Sequence, residues 1–210
     1  PAAEKLAALA VEAMLYEVAA TPAPGLVDRA NSGAHKDMDI FTFLSSSAAL
    51  SHTLGRCAEA AFRHKGTLEE LLPLLRLIGI EGERRMLAAT QGVNTQKGLL
   101  FSLGLAVAAA AWVLHAGKQP QAEAVLAAAA EMVQGIVEAE LKSLAGKKPE
   151  ELTAGERLYL EYGVQGIRGE VAAALPAVRF CGLPKLREAL AAGMNVNDAL
   201  VQTLLELFMT

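Results

Sequence analysis

The chain has 210 residues, enough for one domain with a substantial core, and a formal net charge of -4, which excludes a broad basic surface for duplex nucleic acid. Hydrophobic residues make up 53% but aromatic residues only 5%, so the core is built from small aliphatic side chains in closely packed helices. Two cysteines, Cys57 and Cys181, are too few for a disulfide scaffold, and reduced thiols in a cytoplasmic setting are the default expectation.

The first predicted helix covers about residues 2–20, with Leu6, Leu9, Ala13 and Leu15 near one apolar stripe. A loop rich in proline and glycine follows, from Thr21 to Asp39. A second helix is expected from about Ile40 to Arg63, with Asp39 as its cap. Thr67-x-x-Glu70 is a capping box that opens a third helix ending near Thr90, with an interruption allowed by Pro73 and Gly79. Gly92–Thr95 is the next break, and a fourth helix runs from about Gln96 to His115. Its apolar run, Leu99 to Leu114, is shorter than the roughly 20 residues of a membrane span and reads as a buried central helix.

Pro120 suits the first turn of a fifth helix reaching about Leu144. A polar connector over Gly146–Glu151, a second capping box at Thr153-x-x-Glu156 and a break over Gly163–Gly169 come next. Short helices are predicted near 170–180 and 185–192. Asn197 or Asp198 begins a last helix that is still running at Phe208. No alternating strand pattern and no internal repeat is found, so the expected fold is all-α: a single-domain multi-helix bundle over 1–210 with functional loops between its helices. Met14, Met86, Met132 and Met194 are assigned to the core, and His52, His64 and His115 to ordinary helix positions.

Three polar segments interrupt this aliphatic pattern. In the Thr21–Asp39 loop, Asp28, His35, Asp37 and Asp39 gather groups suited to a hard cation or to acid/base work. An extended segment would put His35, Asp37 and Asp39 on one side, and a helical turn would join His35 to Asp39. In Gly92-Val93-Asn94-Thr95-Gln96-Lys97-Gly98, Asn94 or Thr95 is a candidate cap. Lys97 falls in the first helical turn, where a cation opposes the helix dipole unless an anion binds. In Gly163 to Glu170, recurring glycines leave the backbone open to a ligand and Arg168 offers a planar fork for phosphate or carboxylate. Glu83 lies seven residues before Thr90 on the third helix and points toward the Asn94 loop; Glu81 is read as a surface carboxylate pairing with Arg84 or Arg85. Carboxylates together with phosphate-seeking cations suit a Mg²⁺–nucleotide site. No Walker-type phosphate loop and no dinucleotide fingerprint is present.

These motifs resemble those of the triphosphoribosyl-dephospho-CoA synthase family. The agreement covers Thr21-Pro22-x-Pro24-Gly25-Leu26-Val27-Asp28, then Asn31-Ser32-Gly33, then His35-x-Asp37-Met38-Asp39. Ala23 stands where the family usually carries a basic residue. Gln96 replaces a histidine in the family's Gly-Val-Asn-Thr-His-Lys-Gly, and Ala174-Leu175-Pro176 stands for its Gly-Phe-Pro. The resemblance implies an all-α transferase that joins the triphosphoribosyl group of ATP to dephospho-CoA, releases adenine, and makes the prosthetic-group precursor for the acyl carrier subunit of citrate lyase or malonate decarboxylase. On that basis Asp28, His35, Asp37 and Asp39 are the candidate catalytic residues. Asn94, Thr95, Lys97, Arg168 and Glu170 are candidates for phosphate binding, and Asp37, Asp39 and Glu83 for Mg²⁺. The family continues past the position of Thr210, which leaves open a missing C-terminal segment. Neither nucleic acid nor membrane is an expected partner, and homo-oligomerisation stays open. A Mg²⁺-dependent nucleotide hydrolase and a non-catalytic helical partner protein are the competing readings.

Overall fold

A computed structural model describes residues 1–135, 152, 154–163 and 165–210. The fifth helix ends at Val133, short of the predicted Leu144, with Gly135 at positive φ; the Gly146–Glu151 connector and the Thr153-x-x-Glu156 capping box lie outside the described residues. Among the described residues the regular structure is helical, and no strand occurs. The helices are α1 (Ala2–Ala19), α2 (Ile40–Arg63), α3 (Leu68–Ala89), α4 (Lys97–His115), α5 (Ala122–Val133), α6 (Ala154–Tyr162), α7 (Gly166–Ala172), α8 (Leu183–Ala191) and α9 (Val196–Phe208).

Helix α2 packs against α1, α3 and α4, while α4 also meets α5 and α7. Alanines at the crossings, including Ala7, Ala58, Ala61, Ala108, Ala109 and Ala111, are buried and let the backbones approach closely. Helix α4 alone among the described helices is long and apolar enough to cross a membrane, and here it forms the centre of the bundle. Met14, Met86 and Met132 are fully buried, as expected, whereas Met194 is exposed. On α1 the buried stripe is Ala7, Ala10, Met14 and Val18; Leu9 points to solvent, so the stripe is rotated from the predicted one.

The capping signals locate the helix starts well. Asp39 and Thr42 form a reciprocal box at α2, and Thr67 and Glu70 do the same at α3. Pro73 is accommodated within α3 without ending it. Pro120 is not in the first turn of α5, because Gln121 is the residue before the helix. The predicted break is present at Gly163, which has positive φ after α6, but α7 begins at Gly166 and runs through Gly169. The helix predicted near 170–180 is split: Ala174 and Leu175 adopt positive φ, and a single π turn over Val178–Gly182 then leads into α8. Asn195, not Asn197 or Asp198, caps α9, accepting from the Asp198 N–H at 3.0 Å.

Candidate functional site

The Thr21–Asp39 loop is organised around one buried carboxylate. Asp28 is 2% exposed. Its Oδ2 accepts from Thr21 Oγ1 (2.7 Å) and the Ala23 N–H (3.0 Å). Its Oδ1 accepts from the Ala30 N–H (2.7 Å), the Asn31 N–H (2.9 Å) and Asn31 Nδ2 (3.3 Å). Burial works to raise the Asp28 pKa, but the bonds from Thr21, Ala23, Ala30 and Asn31 together outweigh it and hold it at about 2. Asp28 therefore keeps its charge and has little proton affinity to offer as a base. Its bonds shape the loop.

The clasp continues on both sides. Asn31 Oδ1 accepts from the Gly33 N–H at 2.8 Å, and Gly33 has φ +56. A side chain at Gly33 would place Cβ 2.2 Å from the Leu26 carbonyl oxygen, so only glycine fits. Helix α9 reaches in from far along the chain. Asn197 Oδ1 accepts from the Thr21 N–H (3.0 Å) and Arg29 Nη1 (2.8 Å), while its Nδ2 donates to the Thr21 carbonyl (2.9 Å).

His35, Asp37 and Asp39 stay on the outer side of this clasp, and all three are exposed. A turn at Ser32–His35 makes the segment neither extended nor helical. His35 Nδ1 and Asp37 Oδ1 are 3.9 Å apart. Asp39 Oδ1 accepts from the Thr42 N–H (2.9 Å) and Thr42 Oγ1 (2.8 Å), bonds that hold its carboxyl below the usual range. The predicted grouping of Asp37, Asp39 and Glu83 into a metal site does not form: no trio of His, Cys, Asp or Glu able to hold a metal occurs among the described residues. The described residues of the loop thus form no protein-only metal cage.

The second and third segments meet at a cavity of about 410 Å³ between α3, α4 and α7. Its wall includes Arg76, Gly79 and Glu83 from α3, Lys97 and Phe101 from α4, and Arg168 from α7. Lys97 Nζ lies 2.6 Å from Glu83 Oε1, so the carboxylate one helix away answers the lysine that opposes the α4 dipole. The first residue of α4 is Lys97, and Asn94 Oδ1 accepts from the Lys97 N–H at 3.3 Å. Thr95 turns inward: its Oγ1 donates to Ser46 Oγ (2.7 Å), which donates to Gln96 Oε1 (2.6 Å). This relay ties the Asn94 loop to α2, whose start carries Asp39. Gln96 is buried and its Nε2 lacks a hydrogen-bond partner. Glu170 follows Arg168 by two residues, about 200° round α7, and does not share its direction. Glu81 lies outside the cavity wall, bonded to Arg85 and Arg56, which depress its pKa. Cys57 is on the cavity floor, where burial pushes its thiol up to about 12 and outweighs the opposing Arg56 charge.

Three features of this arrangement are absent from the sequence reading. Arg76 joins the cationic wall, Ser46 ties the Asn94 loop to α2, and Asn197 binds the first loop to the last helix. Spacing alone does not reveal them, since each acts across more than twenty residues of chain.

The sequence profile described as CitG, ATP:dephospho-CoA triphosphoribosyl transferase, matches residues 3–210. The chain belongs to this transferase family. A 2-(5''-triphosphoribosyl)-3'-dephosphocoenzyme-A synthase of Pectobacterium atrosepticum is 43% identical over 196 residues, which are 93% of this chain and 64% of that protein. A probable synthase of the same name from Vibrio cholerae is 43% identical over 95% of this chain and 63% of its own. One from Malonomonas rubra is 39% identical over 99% of this chain and 66% of its own. The chain thus spans just under two thirds of the first two relatives. No solved structure matches. Within this transferase family's motifs, the Thr21–Asp39 loop and the Lys97–Arg168 cavity are distinct parts of the fold, joined through α2.

Proposed function

We propose that this chain takes part in the reaction named by its family: joining the triphosphoribosyl group of ATP to dephospho-CoA. The observation that carries this reading is the cavity whose wall combines Lys97, Arg168 and Arg76 with Glu83. Cations from three separate segments around one cavity suit a polyphosphate, and the start of α4 adds its favourable dipole. Incoming phosphate would displace Glu83 as the partner of Lys97.

In this reaction a ribose hydroxyl of dephospho-CoA attacks the anomeric carbon of ATP. The new C–O bond replaces the C–N bond to adenine, and the hydroxyl proton passes to a base while adenine leaves with a proton. Positive charge develops on the sugar as the bond to adenine lengthens, and nearby carboxylates stabilise it. Asp37 and Asp39 fill that role in our assignment. His35, beside Asp37, takes the hydroxyl proton, since Asp28 is committed to the loop. Asp37 and Asp39, with Glu83 as the alternative, are the residues that would hold Mg²⁺, which neutralises phosphate charge when bound. The product would serve as the prosthetic-group precursor for an acyl carrier subunit.

Incubation with ATP, Mg²⁺ and dephospho-CoA, followed by chromatography and mass spectrometry, tests the proposal. Adenine released in step with a joined triphosphoribosyl product is the expected result. ADP or AMP in place of adenine would reject glycosyl transfer in favour of phosphate chemistry.

A further inference from the structure

Gly79 and Gly98 on the cavity wall are not explained by packing inside the protein, whereas at Gly104 a Cβ would touch Cys57 Sγ at 3.7 Å. Gly82 shows what a packing requirement looks like: a Cβ there would sit 2.5 Å from Thr53 Cγ2 and 3.0 Å from Thr53 Oγ1. Gly79 lies nearly one turn earlier on the same helix, and a Cβ there would meet nothing within 4 Å. Gly98, in the first turn of α4, is equally open. Glycine inside a helix is less favourable than alanine, so Gly79 destabilises α3 without relieving any contact in the protein. Both glycines lie on the cavity wall.

The chemistry of that wall changes with depth. Leu72, Leu75, Leu100 and Leu105 are buried and apolar, while Arg76, Lys97 and Arg168 are exposed. Phe101 contributes the aromatic ring among the described wall residues. An apolar interior with one aromatic face, a bare stretch of helix and a cationic mouth suits a flat ring bearing an anionic tail.

We propose that the wall formed by Gly79 and Phe101 receives the adenine ring of an adenine nucleotide, with the phosphates held at the mouth by Lys97 and Arg168. This rests on the functional reading above, and deepens it, because ATP and dephospho-CoA both carry adenine and phosphate. The ring lies against α3 where the missing Cβ lets it approach, and it stacks on Phe101. Backbone N–H and C=O groups around Gly79 are paired within α3, so this surface selects a flat ring by shape.

The test is calorimetric titration of the wild-type chain, Gly79→Ala and Gly79→Leu with ATP, dephospho-CoA and inorganic tripolyphosphate, alongside thermal melts. Gly79→Ala should melt at or above the wild-type temperature, because alanine favours the helix. Gly79→Leu should weaken binding of ATP or of dephospho-CoA by about tenfold or more, with tripolyphosphate affinity unchanged. The nucleotide that weakens is the one whose adenine uses this wall. If Gly79→Leu does not fold, a selective nucleotide loss of about two- to threefold in Gly79→Ala supports the proposal. Wild-type binding of both nucleotides with no change in either variant overturns the adenine wall and leaves the functional reading standing. A loss that is equal for tripolyphosphate also overturns it, and wild type that binds neither nucleotide overturns both.

Discussion

The buried half of the Thr21–Asp39 loop and the mouth of the α3–α4 cavity use charge in opposite ways. Asp28 is enclosed, and its two oxygens receive five hydrogen bonds from within the loop. Lys97 and Glu83 form a single ion pair in which Lys97 is 59% exposed and Glu83 30%. A charge enclosed by fixed donors cannot change partners cheaply, whereas an exposed pair exchanges its partner for an incoming phosphate with little rearrangement. The motif-bearing carboxylate of Asp28 is thus enclosed by fixed donors, while the exchangeable charges lie on the cavity.

The largest expected effect comes from breaking the enclosed side. Asp28→Asn removes the charge that the loop N–H groups surround and should destabilise the protein by roughly 2 kcal/mol, the equivalent of its lowered pKa. A denaturant titration checks this. The same depression sets a pH signature. Asp28 stability is fully present above pH about 4, the ordinary value, and is lost as pH falls through about 2, so acid melts of wild type should steepen in that window and those of Asp28→Asn should not.

Asp39 lies between the two cases, since it caps α2 yet is exposed. Asp39→Ala should lower the melting temperature by a few degrees, while Asp39→Asn, still a good cap, should leave it nearly unchanged. If Asp39 also stabilises charge on the sugar, the Asn variant loses turnover despite its normal melt; retained turnover would confine Asp39 to capping. The smallest effect is expected at Glu83. Glu83→Gln should leave the melt unchanged and tighten ATP binding in the absence of Mg²⁺ about two- to threefold, because Lys97 loses its competitor. Weaker binding there would contradict the displacement of Glu83 by phosphate.

Much of the helical frame is legible because helix starts are local. Asp39 with Thr42, and Thr67 with Glu70, announce α2 and α3 through bonds spanning three residues. The region after Gly163 is misread because its glycines suggest a break, while α7 begins among them. The α1 stripe is rotated because alanines, which Leu-based periodicity undervalues, face the closest helix crossing. Within the site, the three segments are visible in sequence, but the role of Asp28 is not, since spacing does not distinguish an enclosed carboxylate from an exposed one. One signal does exist: Asp28 Oδ1 accepts from the N–H groups of Ala30 and Asn31 in an Asx-type turn, a conformation that Asp favours through its short side chain. The link from Asn197 to Thr21 spans 176 positions, and no local pattern encodes it.

Calorimetric titration of the Lys97→Ala chain with ATP tests most directly the claim that the exposed cavity charges, and not the enclosed carboxylate of the loop, meet the nucleotide. The expected affinity is about tenfold or more below wild type, with an unchanged melting temperature. An affinity equal to wild type in that folded variant would contradict it.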